Sequence, residues 1–130
     1  MARRAVVPPG TPVYGPYSPA VQAGPFLFIS GQLPALPSGE LLSGSIEDQA
    51  RLCLENIARI VRAAGGTMVN LVKVTIYLAD MNDFGAVNSV YAAFFDRDPP
   101  ARACVEVRRL PKDARIEIEA VAYLDSATTG

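Results

Sequence analysis

Proline placement constrains this chain more than any other feature of its sequence. Eight of the 11 prolines fall between Pro8 and Pro37. Proline fixes φ, removes a backbone donor and biases the preceding residue away from helix, so the first third is expected to run as extended segments and turns. Within it, Phe26-Leu27-Phe28-Ile29-Ser30 is a short aromatic and β-branched run closed by Gly31, the pattern of a buried strand.

From Ser45 the period changes. Ile46, Ala50, Cys53, Leu54, Ile57, Ile60, Val61 and Ala64 recur at three and four residues, with charged residues filling the other face. This predicts an amphipathic helix, capped by Ser45 with Asp48 in a capping-box variant and ended by Gly65-Gly66. Leu71 to Leu78 then alternates, with Val72, Val74, Ile76 and Leu78 expected on one face of a strand. Asn82 or Asp83 opens a second helix whose stripe of Phe84, Val87, Val90, Tyr91, Phe94 and Phe95 reads as core and stops before Pro99-Pro100. Ala101 to Val107 and Arg115 to Leu124 both alternate, and the turn at Pro111-Lys112-Asp113 predicts that they pair as a hairpin. The Ser-Ala-Thr-Thr-Gly end, from about residue 125, reads as a frayed tail.

The expected fold class is therefore α+β, as a single domain over residues 1–130 with no repeat or linker. At 130 residues and 50% hydrophobic composition the chain is long enough to bury roughly two-thirds of its unfolded surface. Two helices cover one face of such a sheet. The other is too apolar for open solvent, which predicts an oligomer.

Composition excludes several kinds of chemistry. There is no histidine, which removes Ser-His-Asp and Cys-His nucleophile systems, the two-histidine zinc motif and the usual imidazole base. No glycine-rich phosphate loop follows a strand, so a cofactor-free and metal-free reaction is expected. A formal charge of -1 gives no general attraction to nucleic acid. No apolar stretch nears the ~18 residues of a membrane span, and prolines interrupt the N-terminus before any signal-peptide core. With two cysteines outside any CxxC spacing, a reduced, cytoplasmic protein is expected.

What remains for chemistry is carboxylates, arginine, hydroxyls, a thiol and the backbone. Arg102 carries a planar fork suited to a substrate carboxylate, or it forms an ion pair with Glu106, Glu117 or Glu119. Glu117, in an apolar strand, either directs a water and moves a proton or neutralises Arg115 or Arg102. In the expected hairpin, Arg102 and Cys104 come near Glu117. Cys104 has no neighbour in sequence to lower its pKa and reads as a small buried hydrophobe whose backbone could serve a ligand. Tyr17, projected by the Gly15-Pro16 turn, and Ser30-Gly31, at a strand end, either face a ligand or serve turn chemistry. Asn88 lies near the second helix's apolar stripe, bonded to a backbone or to solvent.

Together these segments carry a family resemblance. Gly15-Pro16-Tyr17-Ser18-Pro19-Ala20, Ile29-Ser30-Gly31-Gln32-Leu33, Asp83-Phe84 through Asn88, Pro100-Ala101-Arg102-Ala103-Cys104-Val105-Glu106-Val107, and Leu110-Pro111-Lys112-Asp113 through Glu117-Ile118-Glu119 resemble the RidA (YjgF) family from about Tyr14 to Tyr123. The resemblance implies a chorismate-mutase-like mixed sheet with two helices on one face, a homotrimer, and clefts between subunits that bind small carboxylates. It implies hydrolytic deamination of enamine/imine acids such as 2-aminoacrylate and 2-aminocrotonate to 2-keto acids and ammonia. By the same resemblance, Arg102 holds the carboxylate, Glu117 the water, and Tyr17, Ser30, Gly31 and Cys104 surround the substrate, while Asn88 and Lys73 are structural or interfacial. The family also carries an endoribonuclease and translation-inhibitor label, which is the alternative function; a non-catalytic sensor of small carboxylates is another. The loop from Asp96 to Pro99 is shorter than in typical members and lacks an aromatic before the proline, which bears on substrate size.

Overall fold

The computed structural model describes residues 2–125, so the expected frayed tail lies outside the described residues. Strands β1 (Arg4–Val6), β2 (Ala20–Ala23) and β3 (Phe26–Gln32) come first, followed by α1 (Ile46–Ala63), β4 (Leu71–Leu78), α2 (Phe84–Ala92), β5 (Ala101–Glu106) and β6 (Ile116–Tyr123). They form one six-stranded mixed sheet in the order β1-β2-β3-β6-β4-β5. Every neighbouring pair is antiparallel except β4 and β5. Both helices pack on one face.

α1 forms as its periodicity predicts. Ser45 Oγ accepts from the Asp48 N–H at 3.0 Å. At the other end Gly65 takes φ +93°, and the Gly65 and Gly66 N–H groups bond back to the Arg62 and Val61 carbonyls, both at 3.0 Å. This is a Schellman stop, in which a glycine accepts the left-handed conformation without a Cβ clash. Its inward residues, Cys53, Leu54, Ile57, Ile60 and Val61 among them, are fully buried against Leu27 and Ile29 of β3 and Ile116, Ile118, Ala120 and Ala122 of β6.

Three expectations need correction. β5 does not pair with β6: it lies parallel to β4, reached through α2, with Val74 opposite Arg102 and Ile76 opposite Cys104. β6 instead runs antiparallel between β3 and β4, with Phe28 opposite Val121 and Tyr77 opposite Glu117. The reason lies in the inward faces. β6 turns Ile116, Ile118, Ala120 and Ala122 toward the helices and belongs in the middle of the sheet, whereas β5 turns Arg102, Cys104 and Glu106 inward and is tolerated only at an edge.

Val72 is the second correction, being exposed rather than inward. The β4–β6 register shifts between Leu71 and Lys73, so Leu71 and Val74 are both buried and strict alternation begins only at Val74. α2 begins after Asp83 as expected, and Asp83, which makes no side-chain cap bond, turns its carboxylate to Arg115 at 3.1 Å; the third correction is to the helix's stripe, since α2 stops at Ala92, before Phe94 and Phe95. The capping is done one turn earlier by Asp80, whose carboxylate accepts from the Asn82 N–H at 2.9 Å. The stripe of α2 is only partly core: Val87, Val90 and Tyr91 are buried, but Phe84 is exposed.

Away from the helices the sheet presents Phe26 and Phe28 of β3, Tyr123 of β6 and Val105 of β5, each 40–49% exposed. Phe26 packs edge-on against Tyr123 with ring centroids 5.3 Å apart. Lys73 lies on this open face, opposite Val121.

Candidate functional site

On the open face the chain gathers Glu117, Tyr17, Ser30 and Gly31. A register shift in the β3–β6 ladder sets Ser30 and Gly31 between the pairs Ile29–Ala120 and Gln32–Ile118, two residues opposite Glu119 alone. Such a bulge re-aims side chains and frees backbone at functional sites. Ser30 is held by both ends, its Oγ donating to the Ser18 carbonyl at 2.7 Å and its N–H to the Pro19 carbonyl at 2.9 Å. The proline-rich turn that carries Tyr17 is thereby tied to the bulge.

Gly31 is a glycine because of what it faces. Its φ lies outside the left-handed region, but a Cβ there would stand 2.5 Å from Glu117 Oε2 and 2.7 Å from its Cδ. Only a residue without a side chain lets the Glu117 carboxyl lie against the bulge. That carboxyl is half-buried, and burial, followed by the like charge of Glu119, holds its pKa above the ordinary glutamate range. Neither ion pair that could neutralise it forms: Arg115 pairs with Asp83, and Arg102 lies on the other face of the sheet beyond β4. Glu117, Tyr17, Ser30, Gly31, Tyr14 and Pro111 line a cavity of about 430 Å3.

Arg102 and Asn88 make a separate cluster on the helix-bearing side. Asn88 Oδ1 accepts from Arg102 Nη1 at 2.8 Å. The guanidinium carbon stands 4.8 Å from the Tyr91 ring centroid and 5.6 Å from that of Phe84. The expected ion pairs of Arg102 with glutamates are absent among the described residues; Glu106 instead accepts from the Met81 N–H at 2.7 Å. An arginine held by one amide and two rings keeps its Nε–Nη2 edge free for a planar anion. Asn88, Tyr91, Phe95, Pro99, Pro100 and Arg102 line a second cavity of about 330 Å3. Its wall includes the end of the short Asp96–Pro99 loop.

Cys104 shares Arg102's strand but lines neither of these cavities. Burial raises its thiol pKa, with Arg102 partly offsetting, which suits an inert packed thiol better than a nucleophile. The structure thus brings Tyr17, Ser30, Gly31 and Glu117 together, brings Asn88 and Arg102 together, and does not join the two sets within one protomer. A larger cavity of about 470 Å3, beside Met68, Phe94 and Asp96, contains none of them. Among the described residues no group of three or more cysteine, aspartate or glutamate side chains could hold a metal ion, and no helix is long and apolar enough to cross a membrane.

Sequence reasoning missed the groups that do the positioning. Tyr91 and Phe84 were assigned to the core stripe, although an aromatic one or two turns from an arginine-bearing strand is a possible cation–π partner. Tyr14, just before the Gly15-Pro16 turn, carries no signal of its own in the sequence. Asn56, 2% exposed, donates to the Leu33 and Ala35 carbonyls at 3.4 and 3.1 Å and fixes the segment leaving the bulge.

Comparison with known proteins identifies the family. The family described as Endoribonuclease L-PSP matches residues 10–124. A RutC family protein of Pyrococcus horikoshii is 57% identical over 110 residues, covering 84% of this chain and 87% of its own. The 2-iminobutanoate/2-iminopropanoate deaminase of Homo sapiens is 47% identical over 116 residues, covering 88% of this chain and 85% of its own. The crystal structure of Escherichia coli TdcF with bound serine superposes with a TM-score of 0.89 at 42% identity, over 94% of this chain and 99% of that one. With its bulge, its edge-strand arginine and its mixed sheet in place, the chain belongs to the Endoribonuclease L-PSP family, the RidA/YjgF group that its motifs resemble.

Proposed function

We propose that this chain is a hydrolytic deaminase of small enamine/imine acids, working at a site completed between copies of itself. The observation that carries the reading is Glu117, a half-buried carboxyl without a neutralising partner among the described residues, set against a glycine bulge and facing a cavity. The name of the human relative supplies the substrate class, 2-iminobutanoate and 2-iminopropanoate. The serine bound in TdcF supports a site for a small amino-acid-like molecule.

Arg102 and Glu117 face away from each other within one protomer, so one small substrate meets both only where two copies adjoin. The exposed apolar residues of the open face, Phe26, Phe28, Val105 and Tyr123, supply a surface for that contact. A homotrimer with three equivalent clefts satisfies both requirements.

In the proposed reaction the enamine first tautomerises to the imine, CH3–C(=NH2+)–COO− for the three-carbon acid. Arg102 of one copy holds the carboxylate. A water near Glu117 of the next copy attacks C2, forming the C–O bond as its proton passes to the Glu117 carboxylate. The carbinolamine nitrogen then takes that proton, the C–N bond breaks with its electron pair leaving on ammonia, and the hydroxyl proton passes through the Glu117 carboxylate to that ammonia as the keto group forms, leaving keto acid and ammonium. Positioning and proton transfer are the whole of the catalysis. Tyr17 is the available donor beside the same cavity.

The test is a coupled assay in which a dehydratase generates 2-aminoacrylate and pyruvate release is followed with and without this protein. An unchanged rate across a range of protein concentrations removes the reading. A non-catalytic sensor, the second reading, is favoured by the serine complex of TdcF and predicts keto-acid binding without acceleration. Cleavage of RNA lost on substituting Arg102 or Glu117 would point to the nuclease activity in the family's description.

A further inference from the structure

The cavity beside Glu117 has one wall that the proposed reaction does not use. Tyr14 precedes the Gly15-Pro16-Tyr17 turn and is held at three points. Its backbone N–H donates to Tyr17 Oη at 3.2 Å, its own hydroxyl donates to the Gly39 carbonyl at 2.8 Å, and Lys112 Nζ stands 5.1 Å from its ring centroid. Lys112 belongs to the Pro111–Asp113 turn, in which Lys112 and Asp113 adopt φ of +58° and +55°. Two consecutive non-glycine residues in the left-handed region persist only where their surroundings over-determine them. Here the surroundings are Tyr14 on Lys112 and Arg109 on Asp113, the latter through two bonds of 3.0 and 2.7 Å. Pro111 of this turn and the Tyr14 ring line the cavity together with Tyr17 and Leu33.

A phenolic oxygen has one proton to donate and lone pairs to accept. With the Tyr14 N–H occupying an acceptor site of Tyr17, and no acceptor among the described residues taking the Tyr17 proton, that proton is available to a molecule in the cavity.

We propose that Tyr14 is the specificity-determining residue of this site: its pinned ring, with Leu33 and Pro111, forms an apolar wall that selects 2-imino acids with apolar side chains, while its N–H fixes Tyr17 as a donor toward them. The inference rests on the deaminase reading for its substrate class. It adds which side chains are accepted and which residue decides.

The experiment compares wild type, Tyr14→Phe and Tyr14→Ala on imino acids produced in situ by an amino-acid oxidase from alanine, leucine and glutamine, with keto-acid release as readout. In parallel, calorimetry measures binding of the matching 2-keto acids. Wild type is expected to favour the leucine-derived over the glutamine-derived substrate. Tyr14→Ala is expected to shrink that preference in kcat/KM by about tenfold or more, mainly through KM, the scale set by loss of an apolar pocket contact. On the alanine-derived substrate, which barely reaches the wall, the rise in KM is expected to be smaller than on the leucine-derived one, so the ratio of the two carries the test. Tyr14→Phe keeps the ring and is expected to keep the preference. A preference unchanged in Tyr14→Ala, or lost equally in Tyr14→Phe, overturns the inference while leaving the deaminase reading intact. If no substrate is turned over but Tyr14→Ala still alters the ratio of keto-acid affinities, the deaminase reading falls and the role of Tyr14 stands. Absence of both turnover and keto-acid binding in wild type overturns both.

Discussion

Replacing Gly31 by alanine tests the core of the site in a way that separates position from chemistry. The new Cβ would lie 2.5 Å from Glu117 Oε2, 2.7 Å from Cδ and 3.0 Å from Cγ. To reach ordinary contact at 3.4 Å the carboxyl oxygen must retreat by about 0.9 Å, and because three successive atoms are struck, the whole side chain moves rather than its tip. A reacting group misplaced by about 1 Å costs on the order of 10²-fold in rate, about 2.7 kcal/mol of transition-state stabilisation. The backbone is indifferent, since Gly31 does not use the left-handed region, and alanine removes some freedom from the unfolded chain; stability is expected to change by less than about 1 kcal/mol. Gly85→Ala, on α2 with nothing within 4 Å of its Cβ, is the matched control and should leave the rate unchanged. The assay is pyruvate release from enzymatically generated 2-aminoacrylate, with thermal unfolding followed by circular dichroism. A folded Gly31→Ala protein within threefold of the wild-type rate would refute the claim that the bulge sets the Glu117 position.

Glu117→Gln keeps the shape and loses the basicity, and is expected to lower the enzymatic rate by roughly 10²-fold or more while keto-acid binding persists. Burial and Glu119 raise the Glu117 pKa, so the folded chain binds that proton more tightly than the unfolded chain. Its stability contribution is therefore fully present below the ordinary glutamate value, about 4.3, and is lost as pH rises through the raised one. The melting temperature of Glu117→Gln should accordingly gain on wild type between pH 4 and neutrality, as comparative thermal scans would show, while the wild-type kcat/KM rises with pH over the raised pKa. Arg102→Lys loses the planar fork and the stacking on Tyr91, so stabilisation by millimolar pyruvate should largely vanish; equal melting shifts in the two proteins would argue against a carboxylate at Arg102. Sedimentation at micromolar concentration should show a trimer, and Phe28→Glu, which puts a charge on the exposed apolar face, should dissociate it with loss of turnover; a stable, active wild-type monomer would contradict the shared site.

The elements legible in the sequence were those whose burial is one-sided and locally patterned. α1 is legible because Ile46, Ala50, Cys53, Leu54 and Ile57 repeat over about three turns in the stretch between Ser45 and Gly65, and β6 because Ile116, Ile118, Ala120 and Ala122 alternate without interruption. Strand pairing was less legible. The Pro111 turn is short enough for a hairpin, and only the polar inward face of β5, Arg102-Cys104-Glu106, marks it as an edge strand that cannot flank the apolar β6 on the side β4 occupies. β1 and β2 were too short and proline-flanked to show a period of their own. Most members of the proposed site, Tyr17, Ser30, Gly31, Glu117 and Arg102, were found by motif; their division between opposite faces of the sheet was not, because that depends on register. Tyr14 and Tyr91 were missed because an aromatic residue in a turn or a helical stripe has the same local signature whether it packs, stacks on a cation or lines a cavity.

The place of β6 in the sheet has a consequence for how the molecule comes into being. It comes after the other five described strands in chain order, yet it sits between β3 and β4, with Phe26 facing Tyr123 and Leu71 facing Ala122. Until it emerges, β3 has only β2 beside it, and the apolar face of α1 lacks a central part of its floor. Contacts this distant along the chain close slowly. A nascent chain ending near Arg115 is therefore two separate pieces of sheet joined by a helix, with unpaired strands exposed to aggregation or chaperones. The Glu117 carboxyl enters with this same strand, so the sheet closes and the site gains its carboxyl in one step.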